Sequence, residues 1–246
     1  MFGINWSVVL RNVMKEKLKT DKKQKKISDK EIYQEIFDAI LSFRLRPGTR
    51  LTEDNLSKIF NVGRTTIRSA LLRLSQDHII EIEPNKGAFI ASPTVKQAKD
   101  ILDARKMIEV AIVKDVIKYA TATDYDLLRR IVKAEQDNID HEHIVESIQL
   151  GGDFHLMLAK ISKNATLERI ITTLIPQTSL VIVLYEQPDA PKCSHFEHFE
   201  LIDVMQKGQI EKATELMYRH VEGIEARLKL EDKEPAGDLV DIFKKR

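Results

Sequence analysis

Apolar positions along this chain change their period partway through, and that change divides it. From Asp29 to Phe43, Ile32, Ile36, Ile40 and Phe43 recur at spacings of four, four and three, which predicts a helix with one buried stripe. Arg46-Pro47-Gly48 ends it as a turn. Thr52 then caps a second helix, with Glu53 and Asp54 in its first turn and Leu56, Ile59 and Phe60 as its apolar face. Asn61-Val62-Gly63 is short enough to join two packed helices. The third helix, Arg64 to Gln76, carries the stripe Ile67, Ala70, Leu71 and Leu74 and shows Arg64, Thr65, Arg68 and Arg73 on its other face. Alternation follows: Ile80 and Ile82 against Glu81 and Glu83, a turn at Pro84-Asn85-Lys86-Gly87, then Ala88-Phe89-Ile90. That is a two-stranded wing. Three helices and a wing predict a winged helix-turn-helix whose third helix suits the DNA major groove. Arginine there can grip guanine or phosphate through two parallel hydrogen bonds, and threonine hydroxyls or helix amides can hold phosphate.

From Thr94 onward only the helical period is present. Six helices are predicted, at 95–119, 123–137, 140–162, 166–185, 194–206 and 209–229, forming an all-α bundle. Val181-Ile182-Val183-Leu184 would suit a strand by itself, but Ile171, Leu174 and Thr178 before it favour helix. Pro176 is expected to kink that helix or split it. The fold class is therefore mainly α: an N-terminal winged helix-turn-helix followed by an all-α bundle.

Polar residues interrupt the inward stripes of the bundle. The first stripe reads Ile101, Arg105, Ile108, Ile112, Val116; the third Ile144, Ile148, Gly151, His155, Leu158; the fifth Ser194, His198, Leu201, Met205; the last Ala213, Met217, His220, Ile224. Three helices each turn one histidine inward and a fourth turns an arginine inward. A buried imidazole needs a partner for each nitrogen. A lone inward histidine is ordinarily a hydrogen-bonded core residue, but three on separate helices predict a shared polar pocket. A divalent metal, Zn or Ni, could satisfy all three nitrogens and keep coordination positions open.

Composition narrows the class. Hydrophobic residues are 43% and charged residues 31% of the 246, too apolar for a disordered chain. A single Cys excludes a disulfide framework and a cysteine zinc site and suits a reducing cytoplasm. No run of 18 apolar residues suggests a membrane span, and the N-terminus lacks a basic segment before its apolar stretch, so a secretory signal is not expected. The net charge of +1 would argue against a nucleic-acid partner, but it is uneven. Residues 1–92 hold 17 Lys and Arg against 11 Asp and Glu, and residues 93–246 hold 22 against 27. Arg11 to Lys30 alone carries nine basic and three acidic residues, which reads first as a solvated arm and second as an attraction for phosphate.

The stretch Tyr33 to Ala91 resembles the DNA-binding domain of the GntR superfamily of bacterial transcription regulators. The similarity rests on Leu45-Arg46-Pro47-Gly48, Leu51-Thr52-Glu53, Leu56-Ser57-Lys58-Ile59-Phe60, then Val62-Gly63-Arg64-Thr65-Thr66-Ile67-Arg68-Ser69-Ala70-Leu71, and the wing residues Asn85-Lys86-Gly87. The resemblance implies DNA contact by Arg64, Thr65, Thr66 and Arg68, with Lys86 and Gly87 at the wing tip and Gly87 allowing approach to the minor groove. Gly63 stands where the family often has Ser or Thr, Ser69 replaces a frequent Glu, and Asp54-Asn55 lie where some fatty-acid-responsive members place a DNA-contacting Arg.

Residues 96–229 resemble the FCD ligand-binding domain of the FadR-like branch. The matching pieces are Leu102-Asp103-Ala104-Arg105-Lys106-Met107-Ile108-Glu109, Phe154-His155-Leu156-Met157-Leu158-Ala159, Asn164, Glu197-His198, Lys207-Gly208-Gln209 and Met217-Tyr218-Arg219-His220. Many members bind a metal through one Asp and three His. The histidine positions map to His155, His198 and His220, but the Asp position is Gly151. Asp153 cannot replace it, because two residues along a helix rotate it about 200° away. Two alternatives stay open: three His holding a metal with water and effector, or a pocket binding an anion without metal. Arg105 suits the carboxylate of a small organic acid. His195, three residues before His198, is read as a surface position.

These readings define an N-terminal arm (1–27), a winged helix (28–92), an FCD-like effector-binding and dimerisation domain (93–230) and a tail (231–246). The expected function is a cytoplasmic, homodimeric, ligand-responsive DNA-binding regulator, a non-enzyme. The competing reading is a metal-dependent hydrolase fused to a DNA-binding module, with Cys193 as a conceivable nucleophile. Against it, no acidic general base sits at helical spacing from these histidines, and no His-Glu-x-x-His pair exists.

Overall fold

The computed structural model describes residues 27–42, 44–84, 86–186 and 195–230. Phe43, Asn85, Cys193, Ser194, the basic arm through residue 26 and the tail from residue 231 fall outside these residues, as does the side chain of His195.

The first module is built of α1 (Asp29–Leu41), β1 (Arg50–Leu51), α2 (Glu53–Phe60), α3 (Arg64–Gln76), β2 (Ile80–Glu83) and β3 (Gly87–Ile90). Ser28 caps α1 in a capping box with Glu31, and Thr52 caps α2 by accepting from the Asn55 amide. Asn61 ends α2 in the left-handed conformation, φ 51°, which asparagine tolerates better than most side chains. Gly63 caps α3 through its carbonyl, which accepts from the Thr66 and Ile67 amides, and offers no side-chain acceptor. Ile32, Ile36, Ile40, Ile67, Ala70 and Leu74 make the core between α1 and α3.

Two expectations change here. The wing has three strands, in the order β1-β3-β2: β3 pairs antiparallel with β2 through Ile80↔Ile90 and Glu83↔Gly87, and with β1 through Arg50↔Phe89 and Leu51↔Ala88. A two-residue strand is too short to register as alternation. Ile59 is 72% exposed rather than part of the apolar face of α2, where Leu56 is the buried residue and Phe60 is half-buried.

The second module is α4 (Val95–Tyr119), α5 (Ala122–Asp140), α6 (Ile144–Ile161), α7 (Ala165–Tyr185), α8 (His195–Gln206) and α9 (Ile210–Arg227). All six predicted helices are present, with ends displaced by at most four residues. Thr94 and Thr121 cap α4 and α5 in capping boxes, and Asn164 caps α7. Pro176 does not split α7, which runs unbroken through it. Gln177 Nε2 and Thr178 Oγ1 donate to the carbonyls of Thr173 and Leu174, bringing side-chain donors to the ladder beside the proline.

By length and composition α7 could cross a membrane. Its apolar residues are divided between two protein cores instead. Ile171, Ile175 and Val181 belong to the bundle, while Leu180 and Val183 complete the core of the winged helix. The modules are thus packed together along α1 and α7. Asp38 of α1 accepts a short hydrogen bond from Gln149 of α6, and the Tyr185 hydroxyl donates to the Pro93 carbonyl in the connection between them, 2.7 Å.

Candidate functional site

His155 from α6, His198 from α8 and His220 from α9 converge inside the bundle, each at most 4% exposed. The Nε2 of His220 lies 3.2 Å from the Nε2 of His198 and 3.2 Å from the Nε2 of His155. The opposite nitrogens each meet a glutamate. His198 Nδ1 is 2.8 Å from Glu135, His220 Nδ1 is 2.7 Å from Glu197, and His155 Nδ1 lies against Glu109. The last contact is close but off the line of a hydrogen bond. Because a carboxylate only accepts, each pairing favours the tautomer with its proton on Nδ1 and a lone pair on Nε2.

Three lone pairs therefore face one another in a buried space. Burial holds the His155 imidazole down to about 4, with Arg105 and His198 adding to the fall against the opposing pull of Glu109. It holds His220 down to about 3, His198 and His155 adding while Glu197 opposes. Near neutrality His155 and His220 carry no second proton that would bridge their facing nitrogens. A divalent cation fits this donor set, and a carboxylate behind each imidazole is the arrangement that orients and strengthens histidine ligands.

The position expected for a fourth ligand is filled differently. A Cβ on Gly151 would lie 3.0 Å from Glu135 Oε1 and 4.0 Å from His198 Cε1. Glu135 of α5, 3% exposed, thus occupies the space above Gly151 and uses it to hold His198. Gly152 beside it lets α7 approach, since a Cβ there would meet Ile175 at 2.9 Å. Asp153 is not among the residues lining the cavity below, and burial raises its carboxyl to about 7.

The cluster opens on a cavity of about 430 Å³. Its walls include His155, His198, His220, Glu135, Gly151 and Arg105, and, on the apolar side, Ile148, Ile175, Ile182 and Leu41. Arg105 is 2% exposed. Its Nε donates to Glu109 Oε1 at 2.6 Å, while Nη2, equally near that oxygen, has no aligned acceptor. A buried guanidinium thus keeps unused donor capacity beside the cavity. Glu109 is drawn down to about 2: burial opposes its ionisation, and Arg105 and His155 outweigh that penalty. Leu41 is the last residue of α1, so the DNA-binding module supplies part of this wall.

Sequence spacing found His155, His198, His220 and Arg105 but missed their glutamates. Glu109 was legible, four residues after Arg105 on the same helix face, and Glu135 continues the α5 stripe Tyr125, Leu128, Ile131. Glu197 carried no such signal, since it precedes His198 yet serves His220.

On the other module Arg64, Thr65 and Arg68 are exposed at the start of α3 and Thr66 is half-buried, while Lys86 and Gly87 are exposed at the wing. Gly87 has φ +110°, which favours glycine, and a Cβ there would meet Arg50 Nε at 3.4 Å. Arg73 reaches Asp29 at 3.4 Å and lies over the Tyr33 ring.

The pattern of the FCD domain matches residues 100–223, half of the chain, and that of the bacterial regulatory proteins of the gntR family matches residues 28–90. The chain is a GntR-family transcription regulator with an FCD domain. The FCD regulator is similar over 80% of its length to the HTH-type transcriptional repressor RspR of Escherichia coli K12, at 22% identity and 86% coverage of that protein. It is 24% identical to the Nta operon transcriptional regulator of Aminobacter aminovorans, over 74% of this chain and 85% of that one. Its fold matches a GntR regulator from Rhodococcus sp. RHA1 with a TM-score of 0.68, at 22% identity over 80% of this chain and 95% of that one. It also matches McbR/YncC of E. coli with a TM-score of 0.69, at 17% identity and the same coverage. Membership of this family makes the winged helix a double-stranded DNA-binding module and the bundle a small-molecule-binding one, in a transcription regulator rather than an enzyme. The hydrolase reading is set aside on that ground.

Proposed function

We propose that this GntR-family regulator binds a small organic carboxylate in the bundle cavity and thereby changes its affinity for a two-fold operator. Arg64, Thr65, Thr66 and Arg68 read the major groove and its phosphates, and Lys86 and Gly87 bring the wing tip to the minor groove. The protein acts as a cytoplasmic homodimer, each winged helix taking one half-site. The domain limits are those of the sequence reading: arm 1–27, winged helix 28–92, effector and dimerisation domain 93–230, tail 231–246.

His155, His198 and His220 hold a divalent metal, Zn or Ni, through their Nε2 atoms. When bound, the metal supplies Lewis-acidic positive charge to the cavity. That charge matters because Glu109, Glu135 and Glu197 outnumber the one guanidinium of Arg105 at the cluster. A carboxylate entering without the cation meets a net negative surround. Arg105 orients the effector through its unused donors.

One observation carries the regulatory part: the cavity that holds the histidines is closed on its apolar side by Leu41 of the DNA-binding module. An occupant touching Leu41 changes its contacts when the modules move against each other, and such a difference in contacts is the requirement for shifting their populations. The test is fluorescence anisotropy with the duplex that the protein enriches from a random-sequence pool. Affinity is measured after chelation, with zinc or nickel, and with a panel of small carboxylates. A metal-dependent change in affinity with one or more carboxylates is expected. No change with any of them, with metal bound, overturns the effector reading.

A further inference from the structure

The positive excess of the N-terminal part does not lie on the winged helix. Residues 27–92 hold nine Lys and Arg and nine Asp and Glu, whereas residues 1–26 hold eight and two. The DNA-binding fold is electrically neutral. The same balance is repeated at the reading surface. Arg64 Nη2 lies 2.9 Å from Asp54, Arg68 Nε donates to both oxygens of Glu53 at 2.8 and 2.9 Å, and Lys86 lies 2.7 Å from Glu83. All three cations expected at DNA are matched with a carboxylate. Glu53 and Asp54 sit in the first turn of α2, where acids favour the helix end. That role does not require both to reach across to α3, and Thr52 already caps the helix.

We propose that Asp54 and Glu53 are specificity determinants: they neutralise Arg64 and Arg68 on the free protein, so sequence-independent DNA cannot recruit these arginines by charge alone. This rests on the assignment of α3 as the reading helix. Attraction to phosphate is common to every duplex and grows with the number of unpaired cations. Pairs this exposed are weak, so a duplex that offers a bidentate acceptor in the right place exchanges them at little cost. A duplex that offers only phosphates at the wrong spacing keeps the carboxylates close to its own negative charge.

Full-length wild type, Asp54→Asn, Glu53→Gln and Arg64→Ala are compared by anisotropy across a potassium chloride series. The probes are a random-sequence duplex pool and the duplex that wild type enriches from it. Asp54→Asn is expected to bind the pool roughly two- to fivefold tighter at low salt. Its log affinity against log salt is expected to steepen by about one. The enriched duplex gains less, so the ratio between the two probes falls, and Glu53→Gln behaves alike. A pool affinity and slope that stay unchanged, or a loss of affinity for the enriched duplex alone, overturns the proposal. If Arg64→Ala leaves both affinities intact at an unchanged melting temperature, the reading of α3 itself fails.

Discussion

The carboxylate of Glu135 stands where a side chain on Gly151 would begin: Oε1 is 3.0 Å from the position of that missing Cβ. One residue is absent so that another, from a different helix, can hold His198 from behind. Where the family resemblance implies an acid at position 151, this chain has none and places instead an acid that orients a histidine.

Gly151→Asp therefore does not restore a four-ligand site by itself. Its carboxylate and that of Glu135 compete for one space with like charge, and zinc affinity measured by competition with a chromophoric chelator is expected to fall. Glu135→Ala together with Gly151→Asp vacates that space and is expected to recover affinity. Glu135→Gln alone keeps the shape and an amide oxygen that can still accept, but loses the negative charge that polarises His198, and affinity should drop ~10- to 100-fold. Equal affinities across these variants would show that Glu135 has no part in metal binding.

Arg105 and Glu109 form a buried ion pair, both side chains at most 3% exposed. Arg105→Ala strands the carboxylate and is expected to cost about 3–5 kcal/mol in urea unfolding. That loss would mask any effect on ligand. Arg105→Lys keeps the charge and removes the planar fork, so it should cost less stability yet weaken carboxylate binding in calorimetry. A carboxylate bound equally well by the lysine variant would remove Arg105 from the effector site.

Acid should destabilise the metal-free protein in a defined window. Burial lowers His155 to about 4 and His220 to about 3. Both lie below the ordinary imidazole value, about 6.5. The unfolded chain takes up protons first, so the stability due to these neutral groups is complete above pH 6.5 and is lost as pH falls towards 3 to 4. The melting temperature after chelation is expected to decline across that range, with a shallower slope in His220→Gln. Identical slopes would place the acid sensitivity elsewhere.

The fold was largely legible because helical periodicity survives in one sequence. Ile67, Ala70, Leu71 and Leu74 mark a buried face, and all four are buried. The inward histidines were legible for the same reason, as exceptions within stripes. What stayed hidden depends on contacts between helices. Glu197 pairs with His220 rather than its neighbour, and Glu135 acts through a gap at Gly151. No spacing within one helix reports either. β1 was missed because Arg50 and Leu51 become a strand only through pairing with β3.

Leu41 is where the two modules share a wall, and it gives the sharpest test of coupling. It is 2% exposed and belongs to the winged-helix core while also lining the cavity. Truncation to Ala deletes buried methyl groups and is expected to cost about 2–5 kcal/mol. It should also widen the cavity on its apolar side, so that an occupant no longer presses on α1. The effector then still binds, by calorimetry, but changes operator affinity by a smaller factor than in wild type. A substitution at a cavity-lining residue of the bundle, Ile182→Ala, enlarges the same cavity while leaving Leu41 in place and serves as the control. If both variants, still folded, transmit the effector as wild type does, contact through Leu41 is not the route of coupling.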